Sequence, residues 1–239
     1  SDVCSSDLAR FGRTLLELGG NNAAIVAADA DLAVVVPELV RNAFVYSGQR
    51  CTAIRRWVVD ESIYDEFIER ALTETAQFAS SPLIGELITE SAASRVEAAI
   101  ESAIAGGAVR LTPAGGKRKR SVPPTILRAD DPTSDIVQNE LFGPVAVVQV
   151  STSLHHALDL ANGVQQGLLV GVCSSDPVTI ERVARESAVG IVQIGGNPVP
   201  VHPDAPFGGW GMSGIGPAEH GIWDMQFYTR PRTIYGLSS

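Results

Sequence analysis

Cysteine is scarce in this chain of 239 residues: there are three, Cys4, Cys51 and Cys173, an odd number at no disulfide or metal-ligand spacing. They read as reduced thiols, which excludes a disulfide framework. Long apolar runs are also missing. The stretch around Ala23–Ala28 falls far short of the roughly 18 residues that cross a bilayer, and no charged-then-apolar leader opens the chain. No membrane contact is expected, and the expected location is cytoplasmic. Positive charge is in deficit, with 18 Lys and Arg against 27 Asp and Glu and a net charge of −9. That balance argues against nucleic acid, whose binders present a basic face. The one basic run, Lys117–Arg120, lies between Gly116 and Pro123 and reads as a solvated turn. Histidine is rare too: His155 and His156 are adjacent and point in different directions on a helix, while His202 and His220 fall in loop-like sequence. No metal site is expected from them. There is no GxGxxG, P-loop or GxSxG, so no self-contained phosphate cradle. The pentapeptide VCSSD occurs at 3–7 and again at 172–176, but the flanks share nothing and no repeat architecture follows.

What the chain has is alternation. Apolar content of 45% is ample for a core. Ser62 opens a helical pattern through Phe78 with Asp65 as a capping-box partner, and Thr89–Ala105 repeats the pattern before Gly106-Gly107 stops it. AVRLT follows as a short strand, then VAVVQV (Val145–Val150), a helix capped by Ser153, LLVGVC (Leu168–Cys173), a helix capped by Asp176 with Pro177 at its first position, and GIVQI (Gly190–Ile194). AIRRWVVD after Cys51 reads as a strand. DADLAVVVPELVRNAF has helical spacing interrupted by Pro37, so that helix either begins near Pro37 or bends there. Strands apolar on both faces alternating with helices predict an α/β fold, a mostly parallel sheet covered by helices on both faces. From Gly195 to Pro217 the Gly- and Pro-rich sequence predicts a long loop, of the kind that carries function.

Two residues stand out for chemistry. Cys51 sits in the turn SGQRC between a helix and a strand, where a thiol could be exposed at an element's end, although a lone cysteine is as readily a small buried hydrophobe. Glu17 in LLELGG is a carboxylate among apolar residues ahead of two glycines, a setting that raises a pKa and suits a general base; an ordinary strand-end glutamate is the alternative.

Five segments in order, LELGGNNAAIV, DADL, SGQRC, NELFGPV and PFGGWGMSGIG, resemble the signatures of the NAD(P)-dependent aldehyde dehydrogenase superfamily over roughly residues 10–235. The resemblance implies that Cys51 is the catalytic thiol and Glu17 the general base. It implies that Glu140 and Phe142 hold the nicotinamide ribose and pack near the nicotinamide, that Leu18 and Gly19 line the nicotinamide pocket, and that Phe207 lies beside the substrate tunnel. Residues 195–205 would shape substrate choice. The expected reaction is oxidation of an aldehyde to a carboxylic acid with NAD or NADP, through a hemithioacetal and a thioester on Cys51. Arg50 and Arg55 are further candidates for lowering the thiol's pKa.

The chain also departs from the family pattern. The amino-terminal half is absent, so a catalytic-domain fragment, inactive alone, is expected. On this reading Ser1–Leu8 is a non-native peptide resembling a translated sequencing adapter, 9–18 a remnant of the dinucleotide-binding domain, 19–217 the catalytic domain, and 218–239 a carboxy-terminal helix and strand. Phe227–Gly236 would be the strand that joins a neighbouring subunit in a homo-oligomer. The usual Gly-Asp-Pro loop is reduced to ASSPL, Glu86 replaces a proline, and GGNPVPVHPDA is unlike familiar substrate loops. NN after ELGG and GQRCTAIRR resemble semialdehyde-oxidising members. Two other readings stay open: a cofactor-independent, Cys51-dependent esterase or thioesterase, and a non-catalytic oligomerisation module.

Overall fold

The computed structural model describes residues 9–115, 119–196 and 202–236. The expectations for Ser1–Leu8, for Lys117 and Arg118, and for 197–201 of the substrate loop lie outside these residues. In chain order the elements are β1 (Leu16–Glu17), β2 (Asn22–Val26), α1 (Leu32–Phe44), β3 (Ile54–Asp60), α2 (Tyr64–Phe78), α3 (Glu90–Ala105), β4 (Val109–Arg110) and β5 (Thr125–Arg128). There follow α4 (Asp135–Gln138), β6 (Val145–Ser151), α5 (Leu154–Asn162), β7 (Gln166–Gly167), β8 (Leu169–Cys173), α6 (Pro177–Glu186), β9 (Ile191–Ile194), β10 (Trp210–Gly211), β11 (Gly214–Ile215) and α7 (Asp224–Tyr228). Seven strands form one sheet in the order β4-β5-β6-β3-β2-β8-β9. Every pairing in it is parallel except that of β4, which runs antiparallel at the edge.

Period-two alternation sorts the strand side chains onto two covered faces. Ala24, Val26, Trp57, Val59, Ile126, Ala146 and Val148 pack with buried residues of α1 and α2. On the opposite face Ala23, Ile25, Val58, Val170 and Val172 meet α5 and α6, while Leu127, Val145 and Val147 meet α3 and α4. Trp57 is fully buried at the centre, edge-on to Phe44 and Phe67 with ring centroids 6.2 and 5.7 Å away. The α/β fold expected from the sequence is thus the observed one. Among the described residues, no helix is long and apolar enough to cross a membrane, and no group of three or more His, Cys, Asp or Glu could hold a metal ion.

Four local expectations need correction. Asp60, not Ser62, starts the second helical segment: its carboxylate accepts from the Ser62 amide at 3.0 Å, and one 3-10 turn, Glu61–Ile63, precedes α2. The Asp60 carboxylate takes both the Ser62 amide and the Ser62 hydroxyl, and no side chain caps α2 itself, so the capping box does not form. Helix α1 does not begin near Pro37. Asp31 caps it by accepting from Ala33 N, and Pro37 lies exposed inside it while Leu32, Val35, Val36, Leu39, Val40, Ala43 and Phe44 are buried. Apolar burial along seven side chains offsets the lost backbone hydrogen bond. The Gly- and Pro-rich stretch after Gly195 is not all loop: β10 pairs with β7, and β11 pairs with β1. Finally, Phe227 and Tyr228 belong to α7, so the expected terminal strand Phe227–Gly236 is helical in its first two residues, and 229–236 carry no regular element.

Candidate active site

Because β2, β3 and β6 are parallel, the segments that lead into them meet at one edge of the sheet. These are 18–21, 49–53 and 139–144, which hold the glycine pair, Cys51 and the Glu140 segment. Open α/β sheets usually gather ligands at the carboxyl ends of their strands. Here the expected site residues gather at the amino ends.

Cys51 is half-buried and is held by the backbone around it. Gly20 lies so close that a Cβ there would stand 2.4 Å from the Cys51 carbonyl oxygen. The β2–β3 register skips between Asn22 and Ala23, which frees the Asn22 side chain to bridge the gap. Its Nδ2 donates to the Cys51 and Ala53 carbonyls at 2.7 and 2.9 Å, and its Oδ1 accepts from Leu169 N at 3.0 Å. The approach to Cys51 is strained: Tyr46, Ser47 and Gly48 all have positive φ, at 55°, 55° and 68°. Two non-glycine residues in the left-handed region cost on the order of 1–3 kcal/mol each and persist only where surroundings fix them. Tyr46 N donates to Leu83 O and Ser47 Oγ to Gly85 O, and a Cβ on Gly48 would stand 2.4 Å from Gly143 O. The Cys51 turn and the Glu140 segment therefore touch backbone to backbone.

Glu140 folds over the glycine pair. Its Oε1 accepts from Gly20 N at 3.1 Å, and a Cβ on Gly19 would collide with Oε2. Phe142, two residues on, has φ 53° and is 45% exposed. Glu17 is set by the pairing of β1 with β11, opposite Gly214, and Leu18 N donates to Ser213 O at 3.0 Å. Phe207 exchanges both backbone hydrogen bonds with Glu219, stacks at 5.8 Å on the His220 ring, and packs against the same apolar cluster as Cys51. Thus Gly19, Glu140 and Cys51 converge through named contacts, and Glu17 lies within electrostatic reach of the thiol.

Burial pushes the Cys51 thiol up, and Glu140 adds to that; the backbone amides of Cys51 and Thr52 oppose it, and Glu17 raises it further. Burial likewise raises Glu17, helped by Glu219 and opposed by His220. Burial raises Glu140, against the Gly20 amide and Arg55. The two carboxylates thus disfavour the thiolate, while each carboxyl is itself raised chiefly by burial. Of the two arginines, Arg55 is fully buried and turned away, donating to Asn21 Oδ1 and to the Ile136 and Asn139 carbonyls. Arg50 keeps electrostatic contact with the sulfur, and the thiolate favours its cation against the cost of burial.

A raised thiol makes a direct prediction. Iodoacetamide alkylation of Cys51, followed by peptide mass spectrometry, is expected to keep accelerating above about pH 10, where a free thiol with pKa about 8.5 has levelled. A rate that levels by about pH 10 would contradict the burial argument.

Several site residues escaped the sequence reading. Asn22 was noticed only as part of an NN pair, and Asn42 not at all, although a polar residue inside the buried stripe of α1 was the available signal. Glu219 and His220 become visible only when β11 and the 207–219 bridge close over Glu17.

The model of the aldehyde dehydrogenase family matches residues 2–234. The chain is 34% identical to a betaine aldehyde dehydrogenase of Bacillus subtilis, over 92% of this chain and 47% of that protein. It is 33% identical to a benzaldehyde dehydrogenase of the same organism, over 95% of this chain and 48% of that one. The crystal structure of betaine aldehyde dehydrogenase from Staphylococcus aureus in complex with NAD+ superposes with a TM-score of 0.87 at 28% identity, covering 99% of this chain and 50% of that one. The chain therefore spans about half the length of the curated relatives it matches.

Proposed function

This chain belongs to the aldehyde dehydrogenase family, and from that membership we propose that the whole protein oxidises an aldehyde to a carboxylic acid with NAD or NADP, using Cys51 as nucleophile and Glu17 as general base. The observation that carries this reading is the convergence at one sheet edge of a half-buried thiol, a glycine pair and two carboxyls of raised pKa. The Cys51 thiolate adds to the carbonyl carbon, and the carbonyl electrons move to oxygen to give a hemithioacetal anion. When bound, the nicotinamide supplies the hydride acceptor. Loss of hydride leaves a thioester on Cys51. Glu17 takes a proton from water, the hydroxide adds to the thioester, and the carboxylic acid departs as the Cys51 thiolate re-forms.

Glu140 fits a nicotinamide ribose. Its Oε1 is occupied by Gly20 N, its Oε2 carries no hydrogen bond among the described residues, and a ribose diol offers the donors a carboxylate accepts. Leu18, Gly19 and Phe142 are the neighbouring surface we assign to the nicotinamide end, and Phe207 the wall of the substrate path. Residues 229–236, with Ile234 and Tyr235 67% and 91% exposed, are the segment we assign to contact between subunits of a cytoplasmic homo-oligomer.

The test is turnover of the whole enzyme with aldehyde and either dinucleotide, followed by absorbance of the reduced nicotinamide. Cys51→Ser is expected to lower kcat by at least about a thousandfold, because a hydroxyl with no activating base is a poor nucleophile. Retention of a tenth of the wild-type rate would sink the assignment.

A further inference from the structure

We infer that Asn21 and Arg55 are positioning residues for the dinucleotide: together they hold the segment that lays the Glu140 carboxylate over the glycine pair. The inference rests on Glu140 being the ribose ligand. Glu140 follows α4, a helix of a single turn, Asp135–Gln138. So short a helix cannot satisfy its last carbonyls from within, and two side chains do so instead. Asn21 Nδ2 donates to Val137 O at 2.7 Å and to Gln138 O at 3.1 Å. Arg55 Nη2 donates to Ile136 O at 2.7 Å, and its Nη1 to the carbonyl of Asn139, immediately before Glu140, at 3.2 Å. The two holders are joined to each other, since Nη1 also donates to Asn21 Oδ1 at 2.6 Å. The consecutive carbonyls from Ile136 to Asn139 thus all end on one pair of side chains.

Both holders are buried, Asn21 at 2% and Arg55 at 4% exposure, so losing either leaves carbonyls that water reaches poorly. Asn21 leads from the glycine pair into β2, and Arg55 lies in β3. The Glu140 segment is therefore fixed to the same two strands that the glycine pair and Cys51 lead into, and the circle closes where Glu140 Oε1 accepts from Gly20 N. The main chain at Asn21 is held separately, because its carbonyl accepts from Arg56 Nε at 2.9 Å. Removing the Asn21 side chain then releases α4 while the glycine pair stays in place. A further tie on the turn, from Gln138 Nε2 to the carbonyls of Pro132 and Gly163, is at the surface and reaches neither the glycine pair nor β3. The charge on Arg55 acts in the same direction: burial pushes its pKa down to about 10 while Glu140 opposes the fall, and the cation in turn favours the Glu140 carboxylate.

The test has two readouts on the whole enzyme: the Kd for NAD and for NADP by calorimetric titration, and, without dinucleotide, hydrogen exchange of the Gly20 amide relative to its intrinsic rate. Asn21→Ala and Arg55→Lys are each expected to raise Kd for the dinucleotide about tenfold, the scale of one lost charge-assisted hydrogen bond, and to speed Gly20 exchange at least about fivefold. Arg55→Lys keeps the charge and loses the fork, so its effect reports the hold on α4 and not the ionisation of Glu140. Glu140→Gln should also raise Kd about tenfold, and combining it with Asn21→Ala should add less than about twofold, because both changes remove the same contact. Cys51, whose carbonyl is held by Asn22, should be alkylated by iodoacetamide within about twofold of the wild-type rate, with buried Cys173 still protected. An unchanged Kd or an unchanged Gly20 exchange rate in Arg55→Lys overturns the inference even if Asn21→Ala does not fold. So does a double variant in which the effects multiply, or a loosening in which Cys51 and Cys173 become reactive together. If Glu140→Gln itself binds dinucleotide as tightly as wild type, the ribose assignment is what has failed, and Gly20 exchange in Arg55→Lys still decides whether Glu140 is held.

Discussion

Gly20→Ala is expected to lower kcat of the whole enzyme by about a hundredfold, the loss that follows when a reacting atom is misplaced by about 1 Å. The added methyl would stand 2.4 Å from the Cys51 carbonyl oxygen and 2.7 and 3.0 Å from Asn22 Oδ1 and Nδ2. None of these atoms can yield cheaply. The carbonyl belongs to the main chain of Cys51, the proposed nucleophile, and the Asn22 amide is buried with hydrogen bonds engaged between β2, β8 and the Cys51 turn. The clash is resolved by pushing Cys51 away from the glycine pair. Gly19→Ala makes the contrast, since its methyl would meet only the end of the Glu140 side chain. That carboxylate can rotate off Gly20 N, so the effect of Gly19→Ala should fall on the KM for the dinucleotide rather than on alkylation of Cys51. The measurement is kcat, KM for dinucleotide and Cys51 alkylation rate in both variants; a Gly20→Ala enzyme within threefold of wild type would remove Gly20 from the argument.

The contrast between the two glycines also marks where the sequence stopped being readable. Alternating strands and helices, with strands apolar on both faces, were legible because period two and period 3.6 are local properties, and the two covered faces of β2 follow from them. Cys51 and Glu17 were legible as unusual residues at element ends, and the roles proposed for them come from the family resemblance. Asn22 and Asn42 were not, because an asparagine inside an apolar stripe looks like a defect until the carbonyls and amides it satisfies are in place. The cap at Asp60 was misread since Ser62 and Asp65 offer the same pattern three residues apart, and only the geometry chooses between them. The terminal Phe227–Gly236 was expected as a strand, but a strand needs an edge to pair with, and in the single chain Phe227 and Tyr228 close a helix instead.

Arg56 was read only as part of a strand, yet its replacement should have the largest effect on stability of any polar residue in the sheet. It is 1% exposed in β3, and its guanidinium donates to three carbonyls: Asn21 at 2.9 Å, and Leu160 and Ala161 at 2.8 Å each. The last two lie in the final turn of α5, where carbonyls have no partner within the helix and the helix dipole favours a cation. The first belongs to the residue that leads from the glycine pair into β2. Arg56 thus joins the far face of the sheet to the edge that carries Cys51. Burial, with Arg55 alongside, pushes its pKa down to about 9, so keeping the charge there already costs free energy, which the three hydrogen bonds offset. Arg56→Met keeps the volume and removes all three donors at once. Each buried carbonyl left unpaired costs roughly 1–3 kcal/mol, and relief from burying the cation returns part of that, for a net loss of about 3 kcal/mol. In a chain of this length that corresponds to a fall in Tm of roughly 6–12 °C. Arg56→Lys should lose less, since an ammonium can still reach one or two of the carbonyls but lacks the fork that spans all three. Calorimetry or circular dichroism of the two variants decides the point: a Met variant melting within 2 °C of wild type would mean that water replaces the guanidinium at α5, and that the carbonyls were never dependent on it.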